Sequence, residues 1–405
     1  MNKWLKRGLL FIGGLIFTLL LTFILVSRFI GFGIKNYGDY YTGYNKGKWH
    51  FHSFREFPVK LDGPYVFNEN GNRYALNLSG NGVDPAEVIK TEVSDQVLVK
   101  VDNEAGTQFV VPLRDQYERS VLSVPTPEKL FTMSDLEGEF DVAVNLLKVN
   151  GVINDSLAWT YGKGHLVLIG DMVDRGENVV PLLWLMYKLE GEAKAAGGDL
   201  HYVLGNHEQY MLNGMVKSAA DKYKGTYYST NLSQAQLWSS NTELGQWLRS
   251  KPVALKVGST LFMHAGMSPE FLDEDISLEF IDKEAEAYFY AEDFDERRAI
   301  KIISDRRGVL FYRGLAKDMT KYELGGMAEP EHVKNLVEKF DVKRVAIGHT
   351  LAKQIGYDYD GKVIRVDVLH SEGISEGLLV ENEKLYRVDN KGQRFELEKA
   401  ENYTD

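Results

Sequence analysis

Several short apolar runs in the second half of the chain each end in one or two polar residues. These runs are LFTMSD, HLVLIGD, HYVLGN, TLFMHAG and RVAIGHT. Helical stretches such as FDVAVNLLKVN and VVPLLWLMYKLEGEAKAA lie between several of them. Continuous apolar strands flanked by helices are typical of the buried sheet of an α/β domain. Because functional groups of such sheets lie beyond the carboxyl ends of the strands, we expect the polar residues that end these runs to meet.

The region before this domain has another pattern. Within residues 56–125, PYVFNENGNRYALNL places Asn-Gly between two alternating runs, and QVLVKVDNEAGTQFVVPL contains a glycine turn. Both are hairpin signals, and they predict a small all-β module that serves as a spacer or docking platform. We therefore predict a tether over residues 31–55, the β module over 56–125, the main domain over 126–392 and a tail over 393–405.

Residues 9–26, LLFIGGLIFTLLLTFILV, form an uninterrupted apolar run that follows Lys3, Lys6 and Arg7. A helix of this length covers ~27 Å at ~1.5 Å per residue, close to the thickness of a bilayer core. The run predicts a transmembrane anchor over 9–30, residues 1–8 as a cytoplasmic tail, and a body on the non-cytoplasmic side. The alternative is a cleaved signal peptide, although no small-x-small cleavage site precedes Arg28.

Composition excludes several classes of site and partner. The chain has 47 Lys and Arg against 58 Asp and Glu, a net charge of −11, which argues against a nucleic-acid partner. It contains no cysteine, so disulfides, thiolate metal sites and cysteine nucleophiles are excluded. Any bound metal must use oxygen and imidazole ligands.

The polar residues at the ends of the apolar runs are of kinds that bind metal ions or phosphate. They are Asp135 and Glu137 in SDLEGEF, Asp171, Asp174 and Arg175 in GDMVDRG, Asn206, His207 and Glu208 in GNHE, His264 in MHAG, and His349 in IGHT. Each alone is open to a structural explanation, such as a helix cap or a buried histidine. Their recurrence after successive strands, mostly beside glycines that permit close backbone approach, indicates one ligand site.

These motifs, in this order, resemble those of the calcineurin-like metallophosphoesterases, whose signature is Asp-x-His, Gly-Asp-x-x-Asp-Arg-Gly, Gly-Asn-His-Glu/Asp and two later histidine motifs. ELGQWLRSKPVALKVGSTLFMHAGMSPEF and GVLFYRG further resemble the Shewanella-like branch of serine/threonine-protein-phosphatase-like enzymes. The resemblance covers about residues 128–382. It implies an α/β fold of the metallophosphoesterase type, a β-sandwich flanked by helices.

The resemblance also implies a role for each motif residue. Asp171 would bridge two divalent ions that activate a bridging hydroxide for attack on phosphorus. The first ion would also bind Asp135 and Glu137, and the second would bind Asn206, His264 and His349. His207 would be the general acid, held by Asp174. Arg175 and Arg313, the latter in FYRG, would bind phosphate oxygens.

Glu137 departs from the family pattern, which has histidine at that position. If Glu137 binds the first ion, that site is all oxygen and favours Mn²⁺ or Mg²⁺ over Zn²⁺, with iron a further candidate. If Glu137 misses the ion, the first site is weak. We expect His370 in RVDVLHS to lie next to the ligands without binding an ion itself.

Three functions follow from this sequence. The first is a membrane-anchored, two-metal phosphatase acting on phosphomonoesters, including phosphoprotein Ser/Thr. The second is a hydrolase of dinucleoside polyphosphates or lipid-linked pyrophosphates. The third is a non-catalytic protein that binds phosphorylated ligands. We also expect the acidic insertion over residues 268–306 to form a helical cover over the site.

Overall fold

A computed structural model of the chain describes residues 3–30, 32–35, 41–45, 48–51, 59–82, 85–272, 276–290 and 300–403. Before residue 59, side chains are described only at Trp4, Arg7, Gly8 and residues 12–23. The α-helices of the described ranges are α1 (Lys3–Ile30), α2 (Phe140–Val149), α3 (Val179–Ala195), α4 (Asn206–Leu212), α5 (Asp221–Thr230), α6 (Gln234–Leu237), α7 (Glu243–Arg249), α8 (Pro269–Leu272), α9 (Leu278–Tyr290) and α10 (Pro330–Lys339).

The strands form five sheets within the described ranges. In chain order the strands are β1 (Phe32–Lys35), β2 (Tyr41–Asn45), β3 (Lys48–Phe51), β4 (Leu61–Glu69), β5 (Asn72–Ser79), β6 (Glu87–Val93), β7 (Gln96–Lys100), β8 (Gln108–Pro112), β9 (Ser123–Val124), β10 (Lys129–Met133), β11 (His165–Leu168), β12 (Asp199–Tyr202), β13 (Ala254–Val257), β14 (Thr260–Met263), β15 (Arg344–Ile347), β16 (Gly356–Asp358), β17 (Val363–Arg365), β18 (Glu376–Glu381), β19 (Lys384–Asp389), β20 (Arg394–Glu396) and β21 (Glu398–Lys399).

Two of these sheets form the β-sandwich of the main domain. One has the strand order β12-β11-β10-β18-β19-β20 and the other β21-β16-β17-β15-β14-β13-β9. Apolar side chains of both sheets meet between them in one buried cluster, for example Val167 and Leu378 from the first sheet and Phe262, Ala346 and Ile364 from the second. The five apolar runs form β10, β11, β12, β14 and β15, so the predicted α/β sandwich is confirmed.

Parallel pairing directs the strand ends to one edge. Strands β10, β11 and β12 pair in parallel in one sheet, and β14, β15 and β17 do so in the other. Their carboxyl ends therefore open into neighbouring loops. The predicted helices α2 and α3 contact each other, and α3 packs on β12 of the six-stranded sheet. The α3 side chains Trp184 and Tyr187 are fully buried.

The β module packs directly on the main domain. Strands β4–β6 form one small sheet and β7–β8 another, and the predicted Asn70-Gly71 turn joins β4 to β5 with positive φ at both residues. The Trp184 indole donates a hydrogen bond to the Pro64 carbonyl (2.9 Å), and the Thr226 hydroxyl donates one to Asp62 (2.6 Å). The module and the domain thus share one apolar core.

The β-sandwich extends beyond both predicted boundaries of the main domain, residues 126 and 392. Strand β9, which lies within the predicted module, pairs with β13 of the seven-stranded sheet. Residues 393–405, predicted as a tail, contain β20, which pairs with β19, and β21, which pairs with β16. These segments therefore belong structurally to the sandwich.

The predicted anchor lies within helix α1. Across the residues that the structure describes, no helix is both long enough and apolar enough to cross a membrane.

Candidate active site

The predicted site residues lie in the loops that follow the parallel strands. Asp135 and Glu137 follow β10, Asp171 to Arg175 follow β11, Asn206 begins α4 after β12, His264 follows β14, and His349 follows β15. Positive φ angles, which are uncommon for residues other than glycine, occur at six of them: Asp135, Glu137, Asp171, Asp174, Arg175 and His349. Such strained backbone concentrates at functional sites, because the surrounding structure must hold it in place.

Two glycines let these loops approach closely. A Cβ on Gly205 would collide with the carboxylate of Asp171, and a Cβ on Gly348 would collide with Ser134 and Asp135. The motif glycines are therefore needed for contact between the loops.

A buried cluster of donors lies at the centre of these loops. The ligand atoms of Asp171, His264 and His349 all lie within 4.8 Å of one another, and all three side chains are buried. His264 Nε2 lies 3.0 Å from Asn206 Oδ1 and 3.1 Å from Asp171 Oδ2. Carboxylate, amide and imidazole donors brought together in this way fit a divalent cation.

A hydrogen bond to the main chain fixes the orientation of the His264 ring. Its Nδ1 lies 2.7 Å from the Ile169 carbonyl oxygen, so Nδ1 carries a hydrogen and Nε2 faces Asp171 and Asn206. Although burial opposes the imidazolium, the charge of Asp171 raises the pKa of His264 to about 10. Burial and the charge of Arg313 hold the pKa of His349 well below its ordinary value.

The carboxylates of the predicted first metal site lie next to this cluster. Asp135 Oδ2 accepts hydrogen bonds from the Ser134 hydroxyl (2.5 Å) and the His349 amide (3.1 Å). Burial raises the pKa of Asp135 to about 6 and that of Glu137 to about 7, although the Arg175 charge opposes the rise for Glu137. Glu137 Oε1 forms an ion pair with the Arg175 guanidinium at 2.7 Å.

His207 forms a hydrogen-bonded pair with Asp174. His207 Nδ1 lies 2.9 Å from Asp174 Oδ2, while Nε2 points toward Asp171 Oδ2 at 3.8 Å. Burial disfavours the charged ring, but Asp171 and the hydrogen bond to Asp174 outweigh it and raise the pKa of His207 to about 9. The hydrogen bond to Asp174 thus favours the protonated ring, as a proton donor requires.

All ten predicted residues lie at one place. A cavity of about 470 Å³ is lined by seven of them: Asp135, Glu137, Asp171, Arg175, His207, Arg313 and His349. The other three are buried behind them: Asp174 contacts His207, His264 contacts Asp171, and Asn206 contacts His264. Arg313 donates to the His349 carbonyl and to the Thr350 hydroxyl (3.3 Å). The roles of the ten as ligands and catalysts stay predictions.

Glu208 has a structural role that the sequence analysis did not assign. Its Oε2 accepts from the amides of Asp171 (2.9 Å) and Gly205 (2.6 Å), and its Oε1 accepts from the Met172 amide (2.8 Å) and the Tyr202 hydroxyl (2.7 Å). This fully buried carboxylate ties the loop after β11 to the start of α4. Its place as the last residue of the GNHE motif was the sequence signal for this role.

The cavity also contains residues that sequence reasoning missed. Asp367, Lys317 and the C-terminal residues Asn402 and Tyr403 line it. His370, which the sequence analysis expected as a supporting residue, lines it as well. His370 Nε2 lies 3.1 Å from the Ser134 carbonyl oxygen, a supporting position next to Asp135. The one sequence signal for Asp367 was its place just after β17, since the other predicted acids also follow strands.

The acidic insertion does not cover this cavity in the part of it that the structure describes. No cavity-lining residue comes from residues 276–290 or 300–306. Instead, Asp282 of α9 forms an ion pair with Arg119 (2.5 Å), and Gln209 donates to the Tyr288 hydroxyl (2.8 Å). The expectation of a cover is therefore wrong for these residues, because α9 contacts Arg119 and Gln209 and does not line the cavity.

Comparison with protein families identifies the fold and chemistry. Residues 129–353, more than half of the chain, match the calcineurin-like phosphoesterase family. The chain belongs to the calcineurin-like phosphoesterases. It is therefore a metal-dependent phosphoester hydrolase, of a family that uses two divalent ions, and the non-catalytic alternative is wrong.

This phosphoesterase is similar in sequence to three proteins of known name. It is 26% identical to Shewanella-like protein phosphatase 2 of Arabidopsis thaliana, over 62% of this chain and 74% of the relative. A cold-active protein-tyrosine phosphatase of a psychrophilic Shewanella species has 29% identity and a TM-score of 0.73, over 84% of this chain and 100% of that structure. A symmetrical bis(5'-nucleosyl)-tetraphosphatase of Dechloromonas aromatica is 28% identical, over 35% of this chain and 45% of the relative. The predicted Shewanella-like resemblance is confirmed.

Proposed function

We propose that this phosphoesterase hydrolyses phosphomonoesters, including those of phosphoproteins. The observation that carries the proposal is the His207–Asp174 pair beside the cluster of Asp171, His264 and His349 in one cavity with two guanidinium groups. A proton donor beside cation ligands and phosphate-binding groups is what phosphate-ester cleavage requires. The protein-phosphatase names of two relatives support the class of substrate.

The donor set fits a pair of divalent ions. Asp171 would bridge the two ions, Asn206, His264 and His349 would hold one of them, and Asp135 would bind the other. When bound, such a pair activates water and neutralises phosphate charge. The buried hydrogen bonds from Ser134 to Asp135 and from His264 to Ile169 orient these ligands in advance.

The remaining groups act on the substrate. His207 donates its Nε2 proton to the leaving oxygen, and Asp174 holds the ring through Nδ1 and stabilises the imidazolium beforehand. Arg313, oriented by the His349 carbonyl, and Arg175 at the cavity wall bind the non-bridging phosphate oxygens. This assignment leaves Lys317, which also lines the cavity, for the rest of the substrate.

A panel of substrates tests the proposal. The purified enzyme is incubated with p-nitrophenyl phosphate, peptides carrying phosphoserine, phosphothreonine or phosphotyrosine, and diadenosine tetraphosphate. Asp171→Asn, which removes the carboxylate at the centre of the ligand cluster, is the control for contaminating activity. We expect hydrolysis of the monoesters, and the peptides distinguish the predicted Ser/Thr preference from a tyrosine preference. Cleavage of diadenosine tetraphosphate alone would contradict the proposal.

A second candidate substrate is a dinucleoside polyphosphate. Three cationic side chains, Arg175, Arg313 and Lys317, line the same cavity, which would suit a chain of several phosphates. The similarity to a bis(5'-nucleosyl)-tetraphosphatase supports this candidate over about a third of the chain. Under this alternative Lys317→Ala should raise the KM for the tetraphosphate and leave that for p-nitrophenyl phosphate unchanged.

We propose separately, from the sequence, that residues 9–26 attach the protein to a membrane, with the catalytic domain on the non-cytoplasmic side. The described side chains of this stretch include exposed Ile12, Leu15 and Phe17, and contiguous apolar surface of this kind calls for lipid or protein contact. Alkaline carbonate extraction of membranes from cells that express the full chain should leave it in the pellet. Recovery in the supernatant would contradict the proposal.

A further inference from the structure

Asp367 lies at the carboxyl end of β17, beside the loop that carries His349. Strand β17 pairs in parallel with β15, and the Val366 amide continues this pairing by donating to the Ile347 carbonyl (2.8 Å). Val366 and Val368 both belong to the buried cluster between the two sheets. The alternation along an extended chain therefore directs Asp367 to the opposite side, where it lines the cavity together with Asp135 and Glu137.

The Asp367 carboxylate is buried and faces other acids. The side chain is 6% exposed, and among the described contacts it accepts no hydrogen bond, since the bond to the Ala352 amide uses the Asp367 main-chain carbonyl. Asp135 and Glu137 line the same cavity. A buried carboxylate without a donor, next to two further acids, is costly unless a cation neutralises it.

Glu137 is already engaged elsewhere. Its carboxylate contacts the Arg175 guanidinium through both oxygens, at 2.7 Å and 2.9 Å. The position at which the family motif has an imidazole thus carries a side chain paired with an arginine. The first ion consequently lacks one of the ligands that the motif would supply.

We propose that Asp367 supplies this missing ligand. The first ion is then held by Asp135, Asp171 and Asp367, while Glu137 stays on Arg175 and helps to place the guanidinium for phosphate. This inference rests on the proposed two-metal site and adds a residue to it. Three carboxylates form a hard, all-oxygen site, which suits Mn²⁺ or Mg²⁺ better than Zn²⁺.

The test counts bound metal ions in Asp367→Asn. Chelator-treated enzyme is titrated with Mn²⁺ by calorimetry, and bound manganese is measured by elemental analysis and by the electron paramagnetic resonance of spin-coupled manganese pairs. We expect two ions and a coupled signal for the wild type, and at least ~10-fold weaker binding of one ion with loss of the coupled signal for the variant. Retention of both ions with unchanged affinity would overturn the proposal.

Two further variants separate ligation from a structural role. Asp358→Asn removes a nearby acid that pairs with Arg365 (3.7 Å) outside the cavity, and it should retain both ions. Glu137→Gln should also retain both ions, and loss of an ion there but not in Asp367→Asn would contradict the assignment.

Thermal unfolding without metal supplies a readout independent of activity. Because Asp367→Asn removes repulsion among buried acids, its metal-free melting temperature should equal or exceed that of the wild type, while the rise on adding Mn²⁺ should shrink. A lower metal-free melting temperature with an unchanged rise would indicate a structural role and overturn the proposal. A wild type that binds fewer than two ions would instead refute the proposed function itself.

Discussion

At the scale of single residues, the most informative contact is the hydrogen bond between His207 and Asp174. It leaves Nε2 as the nitrogen that faces the cavity, and Asp171 and Asp174 raise the pKa of the ring. A general acid matters most when the leaving group is a poor one, because a good leaving group departs without a proton. The two kinds of substrate therefore report on this residue differently.

His207→Asn should lower turnover by ~10²-fold or more for an alkyl phosphate such as phosphoserine, and by less for p-nitrophenyl phosphate. Steady-state kinetics on both substrates measures the difference. His165→Asn is the matched control, because His165 bonds to His201 (3.0 Å) and does not line the cavity. Equal losses for the two substrates would exclude His207 as the acid.

A glycine at the same site permits a second prediction. Gly205 has an ordinary φ of −101°, so only space limits its replacement, and a methyl group there would collide with Asp171. Gly205→Ala should therefore abolish activity and weaken metal binding, as measured by turnover and calorimetry.

Gly191→Ala is the control for this change. Gly191 lies in helix α3, where the nearest atom to an added Cβ is 3.6 Å away, so alanine should leave activity intact and stabilise the fold by ~0.5–1 kcal/mol. Wild-type activity of Gly205→Ala would show that the loops after β11 and β12 need not touch.

Sequence motifs located the ten predicted residues because nine of them lie in loops that follow strands. Arg313 is the exception, and only its FYRG motif pointed to it. Asp367 was missed because its position depends on the parallel pairing of β17 with β15, between segments that no local pattern relates. The pairing of Glu137 with Arg175 was hidden for the same reason, since it joins loops after different strands.

At the scale of elements, a buried charge network joins α3, the end of α7 and the β module. Glu190 of α3 contacts Lys251 (2.6 Å), the Trp247 indole (2.8 Å) and Arg114. Burial opposes the carboxylate, but Lys251 and Arg114 lower the pKa of Glu190 to about 2. The network thus stabilises the ionised form of Glu190.

Glu190→Gln should destabilise the protein by ~3–5 kcal/mol, because Lys251 would be left buried without its counter-charge. Denaturant unfolding at pH 7 measures the change. Glu331→Gln, which removes an exposed helical pair with Lys334, should cost no more than ~0.5 kcal/mol. Similar losses for the two variants would contradict the role of the buried network.

The pH dependence of this contribution has a definite sign. Because the pKa of Glu190 falls from 4.5 to about 2 on folding, its stabilisation is complete above pH 4.5 and is lost as the pH falls toward 2. The Gln variant should therefore lose less stability than the wild type across that window.

The short strands at the C-terminal end could not be predicted from alternation of apolar and polar residues. Strands β20 and β21 are two or three residues long, exposed and polar, and they are defined by pairing with β19 and β16. Strands of this length carry no hydrophobic period, so the sequence predicted a tail. The longer hairpins of the β module were predictable because they alternate and carry turn residues.

At the scale of the whole molecule, the β module and the sandwich share a continuous core that extends from Val59 to Val388. The sequence indicated a separate spacer because short alternating runs give way near Pro125 to apolar runs separated by helices. That change marks the start of the α/β architecture, but it does not mark a separate core. Local pattern does not report the packing of Trp184 and Tyr187 beneath the module, which depends on contacts distant along the chain.

Removal of residues 1–122, which leaves β9 in the seven-stranded sheet, should therefore disrupt the fold. We expect residues 123–405 alone to lose the cooperative thermal transition that the full chain shows by circular dichroism, because the α3 face would be exposed. A truncated protein that melts at the wild-type temperature with full activity would show that the module is a dispensable spacer.

The central claim is that side chains from five loops converge on two divalent ions that serve phosphate-ester hydrolysis. The most direct test is to count the ions bound per chain in the purified enzyme while assaying p-nitrophenyl phosphate after reconstitution with Mn²⁺, Mg²⁺, iron or Zn²⁺. Two ions per chain, with activity that is higher with Mn²⁺ than with Zn²⁺, are expected from the oxygen-rich first site. Fewer than two ions with every metal, and no ester cleaved, would contradict the account.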